Sequence, residues 1–87
     1  MKILLIEDDE NLATSIKFQL EKEGYETDIC YDGEEGLYYM KERSHDLVIL
    51  DRMLPSMDGG AVLQEARKNH VSTPVIMLTA LGELQDK

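Results

Sequence analysis

Three short, wholly apolar runs constrain this chain more than any other feature: Ile3 to Ile6, Leu47 to Leu50 and Pro74 to Leu78. Four or five residues are too few for a buried helix but suit a strand. A strand with no polar alternation is buried on both faces, as in a parallel sheet covered by helices on each side. The segments between them read accordingly. Asn11 to Glu23 carries Leu12, Ile16 and Leu20 at i, i+4 and i+8, one helical stripe, and Gly24 fits the C′ position that ends it. Tyr25 to Cys30 is strand-like, Asp32-Gly33 reads as a turn, and Glu34 to Arg43 as a helix. Pro55 to Gly60 is turn chemistry, Ala61 to Asn69 a helix, and Leu81 to Lys87 is expected to start another.

The order is βαβαβαβ, an α/β fold with parallel strands and right-handed crossovers. Open sheets of this kind place their sites at the carboxyl ends of the strands. The 87 residues suit one small domain. With 18 acidic and 9 basic side chains, the formal charge is −9. That argues against a nucleic-acid surface and suits divalent cations or basic partners. Cys30 is the single cysteine, so no internal disulfide or cysteine metal cluster is available. No apolar run approaches the roughly 18 residues of a membrane span, and Met1-Lys2 leads straight into a strand with no signal-peptide core. Together these features imply a cytoplasmic protein.

The strand ends carry the chemistry. Glu7, Asp8 and Asp9 follow the first run, Asp51 follows the second and Thr79 the third. If the first and third strands are neighbours, Asp8 and Asp51 lie about 5 Å apart, one strand spacing. Carboxylates that close raise each other's pKa unless a cation lies between them. Mg²⁺, which takes a few carboxylates, a carbonyl and waters, is the natural occupant. A carboxylate beside Mg²⁺ can attack phosphorus, and the Thr79 hydroxyl could bond a phosphoryl oxygen. Asp9 reads better as a helix cap than as a ligand.

Three segments together resemble the receiver domain of bacterial response regulators. They are Ile3-Leu4-Leu5-Ile6-Glu7-Asp8-Asp9, Asp51-Arg52-Met53-Leu54-Pro55-Ser56-Met57-Asp58-Gly59 and Pro74-Val75-Ile76-Met77-Leu78-Thr79-Ala80. The resemblance implies a flavodoxin-like, doubly wound parallel sheet in the order two-one-three-four-five. It also implies that Asp51 takes a phosphoryl group from the phosphohistidine of a sensor histidine kinase. Mg²⁺ would be held by Asp8, Asp51, the Met53 carbonyl and, partly through water, Glu7. Thr79 would be the switch hydroxyl, and Pro55, Gly59 and Gly60 would shape the loop beneath the site. The whole receiver would be a signalling domain that catalyses its own phosphorylation and dephosphorylation, with residues 1–87 alone expected to be impaired in both. Its output would be transcriptional, through a C-terminal winged-helix DNA-binding domain. The family pattern continues past residue 87, so residues 1–87 are expected to be a receiver cut short, lacking the fifth strand and its lysine. That leaves the fourth strand at the sheet edge and implies a homodimer or larger assembly.

Other readings fit less well. A Mg²⁺-dependent aspartyl-phosphate phosphohydrolase commonly has an acid two residues after its nucleophile, where this chain has Met53. Glu7-Asp8-Asp9-Glu10 lacks the pattern of a calcium loop, and no phosphate-binding Gly-rich loop follows the first strand. His45 and His70 read as surface or capping positions. One of Tyr38 and Tyr39 is expected in the core, Met40, Met53, Met57 and Met77 read as packing, and Cys30 as a small buried hydrophobe.

Overall fold

The apolar runs become strands because each side of them finds its own helices. The computed structural model describes residues 1–78, so Thr79 and the helix expected from Leu81 lie outside the described residues. The elements are β1 (Lys2–Ile6), α1 (Glu10–Lys22), β2 (Glu26–Cys30), α2 (Gly33–Lys41), β3 (Leu47–Asp51), α3 (Gly59–Lys68) and β4 (Val75–Leu78). They form one parallel sheet in the order β2-β1-β3-β4. This is the doubly wound, flavodoxin-like arrangement that the sequence implies.

Side chains alternate across a strand, so each apolar run feeds two cores. Leu4, Ile6, Val48 and Leu50 pack with Leu37 and Met40 of α2 and Val62 and Ala66 of α3. Ile3, Leu5 and Ile49 pack on the other face with Ala13, Ile16 and Leu20 of α1. The expected α1 stripe is rotated at its start. Ala13, fully buried, seats against the sheet, and Leu12 is exposed. Successive helical residues point about 100° apart, so seating Ala13 turns Leu12 out.

Each helix starts on an aspartate. Asp9 accepts a hydrogen bond from the Leu12 N–H (3.1 Å), Asp32 from the Glu35 N–H (2.8 Å) and Asp58 from the Ala61 N–H (2.9 Å). Loss of such a cap costs about 1 kcal/mol. Gly24 takes the left-handed conformation (φ 92°) that ends α1, as expected.

Several smaller expectations change. Tyr38 and Tyr39 are both exposed and stack edge to face at 5.3 Å; neither enters the core. Met40 is buried and Met57 and Met77 pack against the core, whereas Met53 is exposed. His45 is half-buried rather than fully at the surface. Its side chain is only 4% exposed, and its Nε2 lies 2.8 Å from Asp28 Oδ2. His70 follows the α3 cap in the left-handed region (φ 63°), where its N–H bonds the Arg67 carbonyl. Cys30 is buried as read, and that burial pushes its thiol pKa up to about 12. Among the described residues, no helix is long and apolar enough to cross a membrane.

Candidate functional site: an acidic cluster at the strand ends

Alternation and register together assemble the acids. On the α1 side of the sheet, β1 presents Ile3 and Leu5, and Glu7 is the next position on that side. β3 presents Leu47 and Ile49, and Asp51 comes next. Ile6 is registered with Leu50, so one step further the two acids fall side by side. Asp8 adds a third carboxylate from just beyond β1. Ligand oxygens of Glu7, Asp8 and Asp51 all lie within 4.8 Å of one another, in line with the expected strand spacing. Two like charges at that separation repel by roughly 3 kcal/mol at an effective dielectric of about 20, and by less where water screens them.

The three acids differ in environment. Glu7 is 3% exposed, Asp51 half-buried and Asp8 exposed. Burial raises the Glu7 carboxyl above its ordinary pKa, the Asp9 N–H draws it back, and the charges of Asp51 and Asp8 raise it further. That N–H donates to Glu7 Oε2 at 2.9 Å. Asp9 therefore caps α1 with its side chain, as expected, and steadies Glu7 with its backbone. Sequence reasoning missed the second role, because a backbone donor leaves no residue signature.

Asp51 leads into the loop from Arg52 to Asp58. The Met53 N–H donates to Asp51 Oδ1 at 3.3 Å. The Gly59 N–H closes the neck of the loop on the Arg52 carbonyl (2.9 Å), and the Met57 N–H closes an inner turn on the Pro55 carbonyl (2.7 Å). A Cβ at Gly59 would strike the Asp51 carbonyl oxygen, so that glycine is required by close approach. Gly60 is under no such demand: a Cβ there would meet only Asp58 Oδ1, at 3.3 Å. Met53 is 64% exposed and packs on nothing in the core; its link to the acids is the backbone N–H on Asp51. Thr79 lies outside the described residues, but Leu78, immediately before it in sequence, is registered with Asp51.

Three clustered carboxylates form an all-oxygen donor set. Such a set fits a hard cation of the Mg²⁺ type and supplies none of the sulfur or nitrogen that softer metals prefer. The residues present thus fit the metal that the sequence implies.

Known proteins with this architecture agree. The family model for the response regulator receiver domain matches residues 3–87. Response regulator ArlR of Staphylococcus saprophyticus is 43% identical over 99% of this chain and 39% of its own length. The alkaline phosphatase synthesis transcriptional regulatory protein PhoP of Bacillus subtilis is 40% identical over 99% of this chain and 36% of its own. The chain thus spans little more than a third of the curated relatives it matches. Response regulator TrrA of Thermotoga maritima, solved in complex with Mg²⁺-BeF, superposes with a TM-score of 0.87 at 36% identity, over 99% of this chain and 75% of that one. A receiver domain protein from Clostridium thermocellum superposes with a TM-score of 0.85 at 37% identity, over 98% of this chain and 69% of that one. On sequence, fold and the grouping of its acids, the chain belongs to the receiver-domain family of response regulators.

Proposed function

We propose that Asp51 is the phosphoacceptor of a two-component signalling protein, and that residues 1–87 are part of one receiver domain. The observation that carries this reading is the meeting of Glu7, Asp8 and Asp51 at adjoining strand ends. Glu7, Asp8, Asp51 and the Met53 carbonyl would hold Mg²⁺. When bound, the ion neutralises charge on the transferring group. An Asp51 carboxylate oxygen attacks the phosphorus of a sensor kinase phosphohistidine. The P–N bond breaks, an acyl phosphate forms on Asp51, and the imidazole leaves with a proton. Glu7, sheltered from water and held by the Asp9 N–H, keeps its oxygens fixed while this happens. Thr79 is the hydroxyl that would bond the new phosphoryl group. Hydrolysis of the acyl phosphate at the same site would reset the domain.

Relatives named as transcriptional regulators support an output at DNA through a separate domain, in the cytoplasm. The outer side of β4, where Ile76 is exposed, is proposed as a surface for a second copy; a concentration-independent monomer in sedimentation would exclude it.

The test is labelling with a phosphohistidine donor or acetyl phosphate and Mg²⁺. In the full-length protein one acid-stable, hydroxylamine-labile phosphate is expected, lost in Asp51→Asn. Labelling that survives this substitution places the acceptor elsewhere. Rapid turnover without accumulation favours the phosphohydrolase reading.

A further inference from the structure

We infer that Gly33, on a helix that contributes none of the acids, is a positioning residue for the metal site; the inference rests on the function proposed above. A Cβ built on Gly33 would strike the Met57 carbonyl oxygen and come within 2.9 Å of the Met57 carbonyl carbon. The Gly33 N–H also donates to the Pro55 carbonyl at 3.4 Å. The first turn of α2 therefore rests directly on the loop that runs from Asp51 to α3.

Backbone conformation does not explain the glycine. Gly24 is the one glycine with positive φ among the described residues, so an alanine at 33 has no dihedral penalty. In a helix, alanine is favoured over glycine by about 1 kcal/mol. What excludes it here is space, and the loop backbone fills that space. The sequence offers only an Asp-Gly pair, which reads as a turn. In the structure Asp32 caps α2 and Gly33 is its first residue.

The loop is thus pinned at three places. Gly59 holds the neck, Pro55 and Met57 close the inner turn, and Gly33 bears on the outside. Only Leu54 separates Pro55 from Met53, whose N–H bonds Asp51 Oδ1 and whose carbonyl is a proposed ligand. Bulk at position 33 pushes Met57 and Pro55 outward, and the displacement reaches the Met53 carbonyl and the Asp51 carboxylate together. Loss of groups that orient metal ligands typically weakens binding by about tenfold or more.

The experiment is Mg²⁺ titration by calorimetry on the complete chain, with thermal midpoints measured in Mg²⁺-free buffer. Gly33→Ala is expected to weaken Mg²⁺ by about tenfold. Gly24→Ala, strained at a remote turn, is expected to lower the midpoint and leave Mg²⁺ affinity unchanged. A folded Gly33→Ala with unaltered affinity overturns the inference. If Asp51→Asn abolishes binding while Gly33→Ala does not change it, the inference fails and the site stands; if Asp51→Asn binds normally, both fail. Should Gly33→Ala not fold, Asp32→Ala frees the first turn of α2 without adding atoms. It is expected to bind Mg²⁺ more weakly than Asp32→Asn, which retains a capping oxygen, and equal affinities overturn the inference.

Discussion

Acids are handled in opposite ways at two places on this sheet. On β2, Asp28 meets cationic or protonatable partners: His45 Nε2 at 2.8 Å and Lys2 Nζ at 4.0 Å. Nearby, Asp46 accepts the Lys2 N–H at 2.8 Å. These contacts tie the segment before β3 to β1 and β2. At the carboxyl ends of β1 and β3, by contrast, Glu7, Asp8 and Asp51 meet one another. The first arrangement is complete in itself and serves the fold. The second concentrates like charge, an arrangement that disfavours the ionised form of each acid unless a cation offsets it. The number of acids is therefore a poor guide to a site, and what faces each acid is a good one.

Removing a ligand acid gives the largest expected effect. Asp8→Ala is expected to weaken Mg²⁺ binding by about a hundredfold, the upper end of the range seen for groups that only orient ligands. Asp9→Ala should weaken it only slightly, since the Asp9 amide still reaches Glu7. Calorimetric titration of both variants checks this, and equal losses contradict the assignment of Asp8.

Breaking the other arrangement should act on stability alone. Asp28→Ala leaves His45, buried to 4% exposure, without its acid. The cost of an unpaired buried polar group is reduced here by solvent, because Asp28 itself is 53% exposed. A loss of about 1 kcal/mol is expected, or roughly 5 °C in thermal midpoint for a domain of this size. Mg²⁺ affinity should not change; a parallel fall in affinity would show that the two places are coupled.

Much of this architecture is legible in the sequence, for a definite reason. The runs Ile3 to Ile6 and Leu47 to Leu50 allow one environment only, a strand covered on both faces, and a parallel sheet then brings Asp8 and Asp51 to one rim. What the sequence does not reveal involves backbone atoms or cross-chain partners. The Asp9 N–H on Glu7 and the Met57 carbonyl against Gly33 carry no side-chain signature. The pairing of His45 with Asp28 joins residues 17 positions apart, which no local pattern records. Leu12 shows the limit of apolar periodicity. It finds the helix, and a small residue such as Ala13 then sets which side seats against the sheet.

The smallest expected effect has the opposite sign. Glu7 is buried, and burial before any other cause raises its carboxyl above the ordinary value of 4.5. A carboxyl that binds its proton more tightly when folded favours the folded state at low pH. That advantage is lost as pH rises from about 4.5 through the raised folded value. In Mg²⁺-free buffer, ionising Glu7 therefore places a charge where burial and the neighbouring acids disfavour it. Glu7→Gln retains an oxygen for the Asp9 N–H and removes the charge. The variant is expected to melt above the unsubstituted chain at neutral pH, and the gap should close as pH falls toward 4.5. Adding Mg²⁺ should reverse the order, because binding to the folded state stabilises it by mass action and the variant has one carboxylate fewer. Thermal midpoints across pH, with and without Mg²⁺, test this directly. If Glu7→Gln melts lower at every pH without Mg²⁺, the Asp9 hydrogen bond outweighs burial and repulsion, and the acids at the strand ends do not depress stability.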